Sequence, residues 1–273
     1  MTSARPATLP PMLRAFLERV AGEPSTLALD YDGTLAPFRA HRDEALPPPE
    51  VIDPLRAIAR EPATRLVIIS GRPVTELAAL LRIEPRPELW GAHGWEHLDP
   101  HAAASTTHAP SAEVTRVLAR AEHALRVTLD AAHVERKIAS LAVHWRGLDR
   151  NKADETEHLA RTAFAEARCE DLDLRAFDGG LELRARGHDK GEVTRTLLAR
   201  WSGAPPLLYA GDDDTDEDAF AALRGVAHGL GVRVGVARTT HAALTLDARA
   251  LPGLLAAWLA ATRRAVRPSP ASS

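Results

Sequence analysis

Leu27-Ala28-Leu29-Asp30-Tyr31-Asp32-Gly33-Thr34 is an apolar run that empties into two carboxylates separated by one residue. Along a strand, residues i and i+2 share a face, so this spacing predicts that Asp30 and Asp32 converge. Converging carboxylates repel unless a cation or a shared proton lies between them, and a divalent metal meets that need. Gly33 lets the backbone turn sharply after the pair, and Thr34 brings a hydroxyl and an amide to the mouth of the turn.

The same arrangement recurs twice. Leu66 to Ile69 is an aliphatic run ending in Ser70-Gly71-Arg72-Pro73, followed by the helical pattern Val74 to Leu81. Pro205 to Ala210 ends in Gly211-Asp212-Asp213-Asp214-Thr215-Asp216-Glu217, followed by Asp218 to Leu223. Buried strands that feed polar turns and helices mark a Rossmann-like α/β fold with a parallel sheet. Such sheets bind ligands beyond the carboxyl ends of their strands, so the three turns are predicted to meet at one site.

The rest of the chain supplies the surroundings. Leu13, Phe16, Leu17 and Val20 recur at helical spacing within Met12 to Val20. Leu46-Pro47-Pro48-Pro49-Glu50 reads as an extended loop entering a helix near Val51. From about Ala102 the texture changes. Glu113 to Leu129 and Ala153 to Ala167 have helical periodicity, while Ser140 to Trp145 and Leu181 to Arg184 alternate as half-buried strands do. The expected division is a core over 1–101 and 185–263, an inserted smaller α+β cap over 102–184, and a disordered tail over 264–273. Linkers near Pro100 and Gly187 would let the cap hinge as a lid. Gly231 to Ala237 is expected as a further core strand and Leu251 to Ala261 as the closing helix.

Composition narrows the function. The chain has 273 residues, 34 basic and 37 acidic, and a formal net charge of -3, which offers no polybasic attraction to nucleic acid or anionic lipid. Arg5, Arg14, Glu18 and Arg19 break any signal-like apolar core, and no apolar segment approaches the roughly 20 residues of a membrane helix. The single cysteine, Cys169, excludes a disulfide framework within the chain and suits a reducing compartment, so a cytoplasmic protein is expected. His93, His97 and His101 have metal-ligand spacing for a helix, but Gly94 and Pro100 interrupt that stretch and argue against zinc.

The three turns, together with Lys190 in His188-Asp189-Lys190-Gly191, resemble the four motifs of the haloacid dehalogenase superfamily. More narrowly, Asp30 to Pro37, Ser70-Gly71-Arg72, Asp189-Lys190-Gly191 and Gly211 to Glu217 resemble the trehalose-6-phosphate phosphatases, over about residues 25–260. The resemblance implies a Mg²⁺-dependent phosphoric monoester hydrolase of trehalose biosynthesis. Asp30 would be the nucleophile that forms an aspartyl phosphate, and Asp32 the general acid and then base. Ser70 would hydrogen-bond a phosphoryl oxygen and Lys190 would offset the charge of nucleophile and phosphate, with Thr34, Gly71 and Arg72 also at the substrate. Mg²⁺ would lie among Asp30, the backbone carbonyl of Asp32 and Asp212, with Asp213 and Asp216 holding its waters.

For the sugar, the resemblance points to the cap residues Glu135, Lys137, His144, Arg146 and Glu182. Carboxylates and cations spaced along strands can bind sugar hydroxyls by charge-assisted hydrogen bonds. Trp145 stands where tyrosine is usual, and Ala185 where proline is usual. The partner expected is a small phosphosugar, and any synthase supplying it would be a separate chain. Two other readings stay open: a phosphatase for sucrose phosphate or a glycosyl phosphoglycerate, and a catalytically silent phosphosugar sensor. Intact Asp30, Asp32, Lys190 and Asp212 speak against the sensor, because a pure binder gains nothing from a paired nucleophile and acid.

Overall fold

The computed structural model describes residues 9–264 except 40, 168, 178, 201, 202 and 237. The expected tail, beyond Arg264, and Ala237 lie outside the described residues. The chain forms two compact units, one running up to Thr106 and again from Asp189 onward, the other spanning Thr107–His188.

The central sheet is built from the first unit's β1 (Ser25–Leu29), β2 (Thr64–Ile69), β3 (Glu88–Gly91), β4 (Glu96–Leu98), β10 (Leu207–Gly211), β11 (Gly229–Val234) and β12 (Leu244–Leu246), with β5 (Thr106–Thr107) at the boundary between the units. Its order is β12-β11-β10-β1-β2-β3-β4-β5. The six strands from β12 to β3 run parallel, and β4 turns back antiparallel on β3. Strand order reverses at β1, which has β2 on one side and β10 on the other, so a ligand crevice opens beyond its carboxyl end.

The apolar runs are buried on both faces, as parallel strands require. Leu27, Leu29, Leu66 and Ile68 join one core with α1 (Pro11–Val20), α2 (Pro49–Ile58), α3 (Val74–Leu81) and α8 (Leu251–Thr262). Ala28, Val67, Ile69 and Tyr209 join the other with α6 (Lys190–Ala199) and α7 (Glu217–Leu223). The same alternation sets the two residues after β1: Asp30 continues the Ala28 face toward α6, whereas Tyr31 belongs to the opposite core. Two expectations need correction. The strand expected over Gly231 to Ala237 is β11 and ends at Val234, before Gly235 at φ +105° breaks the extended run. Pro49 and Glu50 form the first turn of α2 rather than a loop, because proline fits the start of a helix, where its missing N–H is not needed.

At the start of β3, between β2 and β4, Glu88 is fully buried and holds three elements together. It accepts from Trp90 Nε1 at 2.8 Å and Arg200 Nη1 at 2.8 Å, pairs with Arg65, and has His97 Nε2 at 2.9 Å. Burial alone would raise its carboxyl, but His97 and the charges of Arg65 and Arg200 hold it at about 2.

The second unit places α4 (Ala112–Thr128) and α5 (Arg150–Glu166) on an antiparallel sheet of β6 (Val134–Arg136), β7 (Ser140–His144), β8 (Leu172–Phe177) and β9 (Gly180–Ala185), ordered β6-β7-β9-β8. Pairing of Leu141 with Leu183 and Val143 with Leu181 gathers buried aliphatic side chains on one face. The Ala185 amide donates to Ala139 O at 2.8 Å, a bond that proline at this position would lack.

Candidate active site

The three turns meet at the carboxyl end of the sheet around Asp30. Its amide extends the β1 ladder to Ala210 O at 2.9 Å, which sets the carboxylate on the α6 side. Lys190 begins α6, whose amino end is capped by Asp189 accepting from Glu192 N at 2.7 Å. The Lys190 ammonium donates to Asp30 Oδ1 and to Asp216 Oδ1, both at 2.6 Å, and is almost wholly buried. Asp216 also accepts from Tyr209 OH at 2.5 Å and from Asp213 N at 2.9 Å. It therefore acts as a buttress that fixes Lys190. Asp30 Oδ2 is buried and has no hydrogen-bond donor.

Asp30, Asp212 and Asp216 place carboxylate oxygens within 4.8 Å of one another, the one such acidic group among the described residues. Burial, and then Asp216's charge, push Asp212 up to about 6, while Thr34 Oγ1 donates to its Oδ1 at 2.9 Å. Burial likewise lifts Asp30 well above the ordinary carboxylate range, with Lys190 opposing. Two glycines make room for the cluster. A Cβ on Gly33, whose φ is +87°, would fall 2.2 Å from Asp212 Oδ2, and one on Gly211 would fall 2.2 Å from Asp216 Cγ. Hard oxygen donors, a buried orphan oxygen and carboxylates resisting ionisation together fit a metal ion.

Asp213 lies beside this group in a different role. Its Oδ1 accepts from Thr215 N and Oγ1, both at 2.7 Å, forming a capping box with Asp216. Despite burial, Lys190 and these bonds hold it below the usual carboxylate range. Ser70, at the end of β2, accepts from Arg72 N at 3.1 Å, which leaves the hydroxyl proton available to donate. Gly71 packs against the His93 ring, where a Cβ would lie 2.6 Å from Nε2.

The predicted convergence of Asp30 and Asp32 is not what the fold delivers. Regular strand ends at Leu29, alternation carries on through Tyr31, and the chain then curls, with the Leu35 and Ala36 amides both donating to Tyr31 O at 2.9 Å. The alternation rule lapses there, and the Asp32 carboxylate turns to Arg72 instead of joining the acidic group. Arg72, expected at the substrate, is committed to protein partners. Its Nε donates to Asp32 Oδ2 at 2.7 Å and its Nη2 to Asp32 Oδ1 at 2.6 Å, while Nη1 reaches Arg42 O at 2.9 Å and Glu76.

Sequence reasoning did not pick out Arg233. Register pairs it with Gly211, and from β11 its guanidinium reaches Asp212 O and Glu217 Oε1, the latter at 3.0 Å. Glu217 in turn accepts from Thr240 Oγ1 and His241 N, both at 2.7 Å, so the acidic loop is braced from behind. Alternation in Gly-Leu-Gly-Val-Arg-Val was the available signal; an arginine in an otherwise buried strand needs a partner. His97 turns to Glu88, and among the described residues no histidine joins a metal-ligating group.

In the second unit the sugar-reading candidates share one face. Glu135 pairs with Ala142, and Ala142 with Glu182, so both acids flank the middle of β7. Glu182 Oε1 accepts from Ser140 Oγ at 2.6 Å and from Lys137 Nζ at 3.0 Å, and Glu135 Oε2 lies 2.9 Å from His144 Nε2. Arg146, just beyond β7, is exposed. The sheet thus brings four of the five cap candidates, Glu135, Lys137, His144 and Glu182, into one polar row.

Residues 28–248 match the family model described as trehalose-phosphatase. A probable trehalose-phosphate phosphatase 3 of Oryza sativa subsp. japonica is 32% identical over 86% of this chain and 70% of its own length. The trehalose-6-phosphate phosphatase of Escherichia coli (strain K12) is 30% identical over 77% of each chain. The C-terminal domain of the C. albicans trehalose-6-phosphate phosphatase superposes with a TM-score of 0.77 over 95% of this chain and 99% of that one; at 22% identity this speaks for the fold alone. With three turns gathered around Asp30 in a mostly parallel sheet, and a family match that runs from β1 through β12, the chain belongs to the trehalose-phosphatase family.

Proposed function

We propose that this protein hydrolyses trehalose 6-phosphate to trehalose and inorganic phosphate through an aspartyl phosphate on Asp30. The observation that carries the reading is the division of labour on that carboxylate, whose Oδ1 is held by Lys190 while the buried Oδ2 has no donor.

In the first step Asp30 attacks phosphorus, the bond from phosphorus to the sugar oxygen breaks, and that oxygen takes the proton carried by Asp32. In the second step Asp32, now a carboxylate, removes a proton from water. The water oxygen bonds to phosphorus, the bond to Asp30 breaks, and phosphate leaves with Asp30 and Asp32 restored. Lys190 offsets the negative charge of Asp30 throughout, and the Ser70 hydroxyl donates to a phosphoryl oxygen. Mg²⁺ held by Asp30, Asp212 and the Asp32 carbonyl, with Asp213 and Asp216 around its waters, would supply positive charge to the phosphoryl oxygens. Glu135, Lys137, His144, Arg146 and Glu182 would bind the sugar hydroxyls. A separate synthase chain in the cytoplasm would supply the substrate. Among the described residues no helix is long and apolar enough to cross a membrane.

The test is phosphate release from trehalose 6-phosphate, glucose 6-phosphate, sucrose 6-phosphate and an aryl phosphate, each with Mg²⁺ or excess EDTA. A Mg²⁺-dependent preference for trehalose 6-phosphate is expected. Equal weak turnover of all four would keep the phosphatase and remove the substrate, and no turnover would leave a phosphosugar binder.

Metal binding should also depend on pH in a defined direction. Asp212, raised to about 6 by burial and by Asp216, holds a proton more tightly in the folded than in the unfolded chain. Its contribution to metal-free stability therefore falls as pH rises from the ordinary aspartate range through about 6, where a cation can replace the proton. Apparent Mg²⁺ affinity is expected to rise with pH, by at least about tenfold per unit below 6, because Asp30, also lifted by burial, must give up its proton to the same ion. Titration calorimetry between pH 5 and 7.5 measures this; a flat profile would mean that Asp212 is not a ligand.

A further inference from the structure

We propose that Arg72 is a positioning residue for Asp32, holding the general acid in line with the departing sugar oxygen, and that it does not bind the substrate phosphate. The inference rests on the assignment of Asp32 as the acid, and the test below separates the two.

The guanidinium has little left to offer a ligand. Of its five N–H groups, four are engaged: Nε and one from Nη2 on the two Asp32 oxygens, and both from Nη1 on Arg42 O and Glu76. The Arg72 side chain is 3% exposed, whereas that of Asp32 is 30% exposed. The carboxylate is thus gripped from the protein side and open on the other. A phosphate would have to displace an ion pair that the guanidinium already forms in its best geometry.

The grip is itself held rigidly. Glu76 lies one turn into α3 from Arg72, Arg42 Nη2 stands 3.8 Å from Glu76, and the guanidinium carbon lies 5.4 Å from the centroid of the Tyr31 ring. Tyr31 is buried and donates from its hydroxyl to Ala45 O at 2.7 Å. Partners from three separate stretches of chain therefore fix the plane of the fork, and the fork fixes the plane of the Asp32 carboxylate.

Asp32 needs such a holder. It sits outside regular strand and just before Gly33 at φ +87°, so the backbone alone leaves its carboxylate loosely aimed. General acid catalysis depends on the proton lying within hydrogen-bond reach of the leaving oxygen, so a small loss of aim lowers the rate without changing affinity.

The distinguishing measurement uses the leaving group. An alkoxide such as the sugar oxygen needs its proton delivered, whereas p-nitrophenolate leaves without one. Arg72→Met should lower kcat/KM for trehalose 6-phosphate about 100-fold but for p-nitrophenyl phosphate less than about 5-fold. Inhibition by inorganic phosphate should be unchanged. Arg72→Lys keeps the charge but loses the fork, and should show the same selectivity with about a tenfold loss; it decides the matter if the methionine variant does not fold. Equal losses on both substrates would overturn the proposal, as would weakened phosphate inhibition in step with kcat/KM. Asp32→Asn, measured in parallel, should lose kcat/KM selectively for trehalose 6-phosphate, because the water step that Asp32 also serves follows release of either leaving group and does not enter kcat/KM. If it does while the Arg72 variants do not, only the role of Arg72 fails; if it does not, the assignment of Asp32 fails first.

Discussion

Asp30→Asn is expected to abolish phosphate release from every phosphomonoester, by at least about 10⁴-fold, because no other group can accept the phosphoryl. The fold should survive. Lys190 keeps its bond to Asp216 at 2.6 Å, and Asp216 keeps those from Tyr209 and Asp213. Removing a carboxylate that burial holds well above the ordinary range relieves the acidic group, so the metal-free variant should melt no lower than the parent protein. Steady-state phosphate release and a thermal melt check both halves. Retained turnover would place the nucleophile elsewhere, and collapse of the fold would mean that Asp30 has a structural role as well.

Lys190→Met should damage both activity and stability. The lysine is buried between Asp30 and Asp216, and removing one partner of a buried ionic group costs about 3–5 kcal/mol because the other charges remain. For a chain of this size that is roughly a 10 °C fall in melting temperature. Activity should fall at least about 10³-fold, since nucleophile and phosphate would then approach with their charges unopposed. The direction with pH is set by the acids left behind. Lys190 opposes the upward push of burial on Asp30 and Asp212 and helps to hold Asp213 down, so without the ammonium these three bind protons more tightly in the folded state. The stability deficit should therefore be largest at high pH and shrink as pH falls. A deficit that does not change with pH would mean that the charge of Lys190 does not act on those acids.

Much of the scaffold could be read from the chain because parallel strands buried on two faces are continuous apolar runs. Leu27 to Leu29, Leu66 to Ile69 and Pro205 to Ala210 each announced a strand, and α3 falls on Val74–Leu81 with Pro73 as its boundary. Strands that escaped notice lacked that signal. Val134–Arg136 is only three residues long, and Leu172–Phe177 is an edge strand whose side chains are mostly exposed. Glu88–Gly91 begins with a charge that is buried only because Arg65, His97 and Arg200 arrive from elsewhere.

The site shows the same divide. Asp30, Asp212, Asp216 and Lys190 stand in motifs whose order implies their meeting, and they do meet. What sequence spacing could not convey is where a strand stops. Asp32 lies two residues beyond Asp30, yet the curl after Tyr31 sends it to Arg72, and that partnership depends on Tyr31, Arg42 and Glu76 as well. Arg233 was hidden for a related reason, since only the β10–β11 register brings it level with Gly211 and behind Asp212.

Every step of the proposed reaction depends on phosphorus passing through Asp30. Rapid acid quenching of the Mg²⁺-loaded enzyme during turnover of trehalose 6-phosphate, followed by borohydride reduction and peptide mass spectrometry, traps that species. An acyl phosphate on Asp30 should be reduced to homoserine, giving a modified peptide that includes Leu29 and Tyr31 and is absent from Asp30→Asn. Full turnover with no trace of that peptide, or modification at another carboxylate, would show that Asp30 is not the nucleophile.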